Sequence, residues 1–171
     1  REKVKAGGEA FGRIVNTSSP SGIYGNVGQS NYGAAKAGIA AFTLITAVEL
    51  AKYGVTVNCL APGAYTRMTA ELPGFSGLDE EGQENFGPRW ISVPTVWLCS
   101  EAAQNVTGRV FDVGGQKLGI AEQWRLGPTA VQPDDPAELT EIMAQLMADA
   151  QPNSGMDGKP VEGPGRPGKA I

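Results

Sequence analysis

The apolar positions switch between two spacings along the chain. Arg13-Ile14-Val15-Asn16-Thr17-Ser18 is a β-branched run between Gly12 and Pro20, which predicts a short strand. Pro20 to Gly28 carries Gly22, Gly25 and Gly28 and predicts a loop, its glycines serving backbone freedom rather than a phosphate cradle. Ile39, Phe42, Ile45, Val48 and the Leu50/Ala51 pair then recur at helical intervals. Ala34, Ala35 and Ala37 favour helix, Ser30 or Asn31 offers a side-chain N-cap, and Gly54 suits a left-handed C-cap. A helix is therefore expected over residues 31 to 53. Val55 to Ala61 is a second strand pattern, which Pro62-Gly63 should stop.

Residues 64 to 90 are rich in Gly, Pro and Glu and lack a period, which predicts a mobile lid with short helical pieces. Asp79-Glu80-Glu81 inside it reads as a solvated acidic turn. Another helix should open at Ser92-Val93-Pro94, with the proline in its first turn and Val96, Trp97 and Leu98 on its apolar face. Arg109 to Val113 predicts a third strand, ended by Gly114-Gly115. Asp134 or Asp135 can cap a last helix, about 136 to 149, whose Leu139, Ile142, Met143, Leu146 and Met147 form one apolar stripe. After Ala150 the composition turns to Pro, Gly and Lys, which predicts disorder. Strands alternating with helices indicate an α/β layered fold with a parallel sheet. Arg1 to Lys5 reads as the last turns of a charged helix, and an upstream continuation is expected.

Composition narrows the chemistry. The 171 residues are 41% hydrophobic, enough for one soluble domain with its own core. The net charge is -4 and the Lys and Arg residues are scattered, which argues against a nucleic-acid partner. No apolar run approaches the roughly 18 residues of a membrane helix, so no membrane partner is expected. There is no histidine, which removes the commonest general base and the commonest zinc ligand, and no metal site is expected. Cys59 and Cys99 lie in apolar surroundings and read as two small buried hydrophobes without a disulfide, which fits a reducing cytoplasm.

Without histidine, acid–base work falls to Tyr, Lys, Asp, Glu or Cys. Tyr32-Gly33-Ala34-Ala35-Lys36 places a phenol and an ammonium four apart, on one face of the long helix. A cation beside a phenol favours the phenolate, which would make Tyr32 a usable general acid or base. In open parallel sheets ligands bind outside the carboxyl ends of the strands. Ser18 and Ser19 end the first strand there, and Ser19, Tyr32 and the Pro62-Gly63 turn should converge on that edge.

Linked together, these residues resemble a known family. Asn16-Thr17-Ser18-Ser19, Tyr32-x-x-x-Lys36 and Asn58-x-x-Ala61-Pro62-Gly63 look like the signature of the short-chain dehydrogenase/reductases, with the Ser19-to-Tyr32 separation of thirteen that is usual there. Ser21-Gly22-Ile23-Tyr24-Gly25-Asn26-Val27-Gly28-Gln29, Arg67-Met68-Thr69, Val96-Trp97-Leu98-Cys99 and Gly108 to Val113 are similar to one branch. That branch comprises the (3R)-hydroxyacyl-CoA dehydrogenase domains of peroxisomal multifunctional enzymes type 2 and their bacterial single-domain relatives.

The resemblance implies a fold and a site. Residues 1 to 129 would be the C-terminal half of a Rossmann-type doubly wound sheet, about three strands with helices, and residues 130 to 171 a tail. Ser19, Tyr32 and Lys36 would be catalytic. Tyr32, Lys36, Pro62, Gly63 and Thr66 would line the cofactor, NAD by branch resemblance with NADP not excluded. The implied reaction moves a hydride between the nicotinamide and a secondary alcohol or ketone, a 3-hydroxyacyl-CoA or a hydroxysteroid. The implied partner is a further copy of the chain. The glycine-rich dinucleotide loop of the family has no counterpart among these 171 residues, so an unpaired edge on the first strand, poor folding and no activity of these residues alone are expected, with the function belonging to a longer parent. The rival reading is a non-catalytic remnant that only binds or dimerises.

Overall fold

The computed structural model describes residues 2–8, 11–122 and 124–161. They divide into two compact units, one ending at Ala121 and one starting at Glu122. The first unit opens with a one-turn helix α1 (Glu2–Lys5), as the charged opening suggested. It then runs β1 (Gly12–Thr17), α2 (Pro20–Ile23), α3 (Ser30–Ala51), β2 (Val55–Gly63), α4 (Glu80–Asn85), α5 (Arg89–Leu98), β3 (Val110–Gly114) and β4 (Lys117–Ala121). The sheet order is β1-β2-β3-β4, with β1, β2 and β3 parallel and β4 antiparallel to β3. The expected α/β layering is present, with four strands rather than three. The missed strand, Lys117 to Ala121, follows a two-residue turn at Gly115-Gln116 in which Gly115 adopts φ +55. A Gly-containing pair between two short apolar runs is a hairpin signal.

Alternation along the strands divides the core between the two faces. On one face Cys59, Ala61, Val110 and Ala121 pack with Ala40, and with Ile39 and Ile23. On the other Leu60, Phe111 and Val113 pack with Leu98 and Ala103, against Val15, Ile91 and Val106. Helix α3 therefore covers one face and α5 the opposite one, as in a doubly wound sheet. Leu98 is 1% exposed, and truncating such a side chain to Ala costs about 2–5 kcal/mol.

Several boundaries differ from the sequence reading. Pro20 to Ile23 is helical because Ser19 caps it and Pro20 occupies its first turn, two start signals that the glycines obscured. Helix α3 begins after Gln29 with no side-chain cap, so neither Ser30 nor Asn31 has the expected role; Gly54 does adopt φ +69 at its end. Strand β2 runs on through Pro62 and Gly63, which pair with Val113 and Gly114. Strand β1 ends opposite Leu60, so beyond that point β2 has an open side where a missing N–H is tolerated. Helix α5 starts at Arg89, so Pro94 lies inside it rather than in the first turn. Cys59 is buried, but Cys99 is exposed, because it follows Leu98 at the end of α5 and points away from the sheet.

Helix α3 also revises the membrane argument. It is 22 residues long, and its most apolar stretch has a mean hydropathy of 1.5, long and apolar enough to cross a bilayer by length and composition. It is nevertheless the crossover between two parallel strands, with Ala40, Thr43 and Ala47 buried on the sheet side. Strand β1 lies at the sheet edge and has no partner on its outer side among the described residues.

In the second unit Asp135 accepts from the Ala137 N–H at 2.8 Å and starts a 3₁₀ turn, Pro136–Glu138, that leads into α6 (Leu139–Asp149). The expected stripe is half-buried at Leu139, Ile142 and Leu146. Past Ala150, where disorder was expected, Ser154 and Pro160 form an isolated bridge; residues 162–171 of that expectation lie outside the described residues.

Candidate active site

Because β1, β2 and β3 are parallel, Thr17, Gly63 and Gly114 end at one edge of the sheet. The chain leaves β1 with the Ser18 N–H still bonded to Leu60 O at 2.7 Å. Ser18 is 1% exposed, and its hydroxyl donates to the Lys36 carbonyl at 2.7 Å, so it fastens β1 to α3. Ser19 comes next, in extended backbone, as the N-cap of α2. Its Oγ accepts from the Ser21 N–H at 3.2 Å. Since that contact uses a lone pair, the Ser19 hydroxyl proton remains available to another acceptor.

Helix α2 lies directly on α3. A Cβ on Gly22 would come within 2.6 Å of Ala37 N and 2.7 Å of the Lys36 carbonyl carbon, and one on Gly33 within 3.1 Å of Ser21 O. Gly22 is thus required for close packing, whereas Gly25 and Gly28, at φ +82 and +80, supply the backbone freedom the sequence suggested. The Lys36 ammonium donates to Thr17 O at 3.1 Å and lies 5.7 Å from the centre of the Tyr32 ring. Two of its three N–H donors remain for other acceptors. Tyr32 is 44% exposed, in the first turn of α3. The structure thus gathers Tyr32 and Lys36, on α3, with the Thr17–Ser19 end of β1.

Pro62 and Gly63 close β2 at the same edge. A Cβ built on Gly63 would find only Gly114 Cα, at 4.0 Å, so a flat ring can approach this backbone. Thr66 follows in a tight turn and bonds to none of Ser19, Tyr32 or Lys36 among the described residues. Its N–H donates to Thr69 Oγ1 at 2.8 Å, and the two hydroxyls lie 3.0 Å apart. Thr69 Oγ1 has Ala64 O at 2.7 Å and Thr66 O at 3.3 Å as further acceptors for its one proton, and either hydroxyl can donate in the Thr66–Thr69 contact. In either direction Thr66 Oγ1 keeps a lone pair, the acceptor that an amide N–H₂ needs. A pair of ammonium donors, a side-chain-free backbone edge and a hydroxyl acceptor fit the nicotinamide-ribose half of a dinucleotide.

A short chain dehydrogenase family model matches residues 4–74. Hydroxyacyl-CoA dehydrogenase ChsB1 of Mycobacterium tuberculosis is 40% identical over 159 residues, 89% of this chain and 50% of that protein. Peroxisomal multifunctional enzyme type 2 of Mus musculus is 40% identical over 109 residues, 64% of this chain and 14% of that protein. The crystal structure of a short chain dehydrogenase from Mycobacterium avium superimposes with a TM-score of 0.75 at 42% identity, covering 95% of this chain and 51% of that one.

Residues 4–74 match the short chain dehydrogenase family, and the chain is similar over most of its length to dehydrogenases of that family. It spans about half the length of the Mycobacterium tuberculosis relative, and less of the mouse one.

Within the first unit several polar residues have partners that sequence reasoning missed. Asn58, 1% exposed, donates to Val106 O at 2.7 Å and accepts from the Arg109 N–H at 3.1 Å, so it pins the approach to β3 rather than facing the site. Tyr24 donates to Asp112 Oδ2 at 3.1 Å, and the Lys117 ammonium donates to the same oxygen at 2.9 Å. Burial, with the Asp112 charge and hydrogen bond added, pushes the Tyr24 phenol up to about 12. Burial also pushes the Cys59 thiol up, which keeps it protonated and inert. Ser21 and Gln29 join α2 to α3, as developed below. Among these, only the alternation of β3 gave a signal, by turning the charged Asp112 toward the face that α3 covers.

Proposed function

We propose that the protein carrying this chain is an NAD-dependent oxidoreductase that moves a hydride between the nicotinamide and the carbinol carbon of a 3-hydroxyacyl-CoA. The observation that carries this is the Tyr32–Lys36 pair held against the end of β1, beside a serine whose hydroxyl proton is uncommitted. The hydroxyacyl-CoA substrate rests on the similarity to the hydroxyacyl-CoA dehydrogenase of Mycobacterium tuberculosis, together with the branch resemblance. A hydroxysteroid is the nearest rival substrate.

In this reading Ser19 donates its hydroxyl proton to the substrate oxygen and steadies the charge that develops there. Tyr32 takes the substrate hydroxyl proton in oxidation and returns one in reduction. Lys36, with its remaining N–H donors, holds the ribose hydroxyls and sets a positive charge beside Tyr32. Thr66 Oγ1 accepts from the carboxamide, and Pro62 and Gly63 form the floor beneath the ring. When bound, the nicotinamide supplies the hydride acceptor, and the protein's task is to orient it.

A second copy of the chain is the proposed partner. Phe42, Ile45 and Val48 are 57%, 58% and 79% exposed along the outer side of α3, an apolar row suited to pairing with itself.

The direct test is turnover by the intact protein with NAD and either a 3-hydroxyacyl-CoA or a hydroxysteroid, followed as NADH appears. The proposal expects NADH from the acyl-CoA. NADH from the steroid alone overturns the substrate assignment, and no turnover on either overturns the proposal.

A further inference from the structure

The twelve residues between Ser19 and Tyr32 contain two glycines in left-handed backbone, and beyond Tyr24 the stretch from Gly25 to Gly28 is exposed. The two ends of the segment are nevertheless tied by a continuous chain of hydrogen bonds. Ser19 Oγ accepts from the Ser21 N–H at 3.2 Å. Ser21, itself 6% exposed, donates its hydroxyl to Gln29 Oε1 at 2.7 Å. The same oxygen accepts from Asn26 Nδ2 at 3.1 Å. The Gln29 carbonyl then accepts from the Gly33 N–H at 2.7 Å, which starts the helix that carries Tyr32.

Gln29 occupies the N-cap position of α3, yet its side chain does not cap that helix. It reaches back across the loop instead, and a single carbonyl oxygen with two lone pairs satisfies one donor from α2 and one from the loop. A shorter or apolar side chain there would leave the Ser21 hydroxyl, buried between the two helices, without its acceptor.

We propose that Gln29 is a positioning residue, whose side-chain oxygen clamps Ser21 and Asn26 and so fixes the Ser19 hydroxyl relative to the Tyr32 phenol. This rests on the catalytic roles proposed above for Ser19 and Tyr32. Gln29 touches neither substrate nor cofactor. It acts through the distance between two reacting groups, to which rates are steeply sensitive.

The test uses the intact protein with five variants: Gln29→Leu, Gln29→Glu, Ser21→Ala, the double Ser21→Ala/Gln29→Leu, and Tyr32→Phe as a control for the site. Gln29→Leu is expected to lower kcat by about 10–100-fold with the KM for NAD within about twofold. Gln29→Glu keeps the acceptor and should restore most of kcat. The double variant should be no slower than the slower single, since both single changes break one bond. Amide exchange should quicken over residues 24–30 in Gln29→Leu and stay unchanged along β2. Equal loss of kcat in Gln29→Leu and Gln29→Glu, multiplicative losses in the double variant, or unchanged kcat in Gln29→Leu overturns the clamp. If instead Tyr32→Phe keeps full turnover, the catalytic reading itself has failed, whatever the Gln29 variants do.

Discussion

The ammonium of Lys36 donates to the carbonyl oxygen of Thr17 at 3.1 Å, and so joins the first turns of α3 to the last residue of β1. That bond aims the lysine along the helix face that carries Tyr32, 5.7 Å away, and toward the edge where the parallel strands end. It also shows why the spacing of four works here. The lysine stem spans from the helix to the sheet, and the tyrosine one turn earlier stays 44% exposed to whatever binds there.

Replacing Lys36 by Ala removes the Thr17 bond and the ribose donors together. The intact variant is expected to bind NAD at least about tenfold more weakly, the loss of a charge-assisted hydrogen bond, and to turn over more slowly as well. Fluorescence titration with NADH, alongside steady-state rates, checks both effects. Undiminished cofactor affinity would remove Lys36 from the cofactor site.

Gly22→Ala tests the contact between α2 and α3. The added carbon would meet backbone atoms of Ala37 and Lys36 within 2.7 Å, and backbone cannot swing aside as a side chain can. The expected outcome is a loss of about 1–3 kcal/mol of stability, read by denaturant unfolding, with turnover falling as the Ser19 helix is pushed from the Tyr32 helix. Gly25→Ala is strained by its φ of +82 but meets nothing within 4 Å, so it should disturb turnover less.

Much of this was legible in the sequence, for reasons that residues make plain. The β-branched run ending at Thr17, the helical spacing of Ile39 to Val48 and the Val55 strand identify one strand–helix–strand unit, and the structure pairs β1 with β2 as that unit requires. The edge shared by Ser19, Tyr32 and Lys36 follows from parallel pairing alone. Local propensity misled where tertiary contact decides. Gly22 looked like a loop residue because sequence does not show the helix pressed against it. Pro62 looked like a strand stop because sequence does not show that β1 ends opposite Leu60. Cys99 looked buried because its neighbours Trp97 and Leu98 are apolar, but only Leu98 faces the core. Gln29 closes the branch-like stretch that starts at Ser21, but no periodicity there foretold its role, which lies in two partners three and eight positions away.

Tyr24 gives a pH test of the contact between α2 and β3. Burial and the Asp112 carboxylate raise its phenol from the ordinary 10.0 to about 12 in the folded state. The folded protein therefore holds this proton more tightly than the unfolded chain. Its stabilising contribution is complete below pH 10 and is lost as pH rises from about 10 to about 12. Unfolding midpoints across that window should fall more steeply for the parent protein than for Tyr24→Phe, and Asp112→Asn should bring the phenol titration back toward 10. Parallel curves for parent and Tyr24→Phe would contradict the contact.

The most direct measurement is the turnover of Tyr32→Phe in the intact protein, taken with its affinity for NADH. Losing only a phenolic oxygen on an exposed first helical turn leaves the fold and the cofactor floor intact. The rate should drop about 10²–10⁴-fold, with NADH bound as in the parent. A variant that turns over at the parental rate would show that the proton travels by another route and that Tyr32 is not the acid–base group.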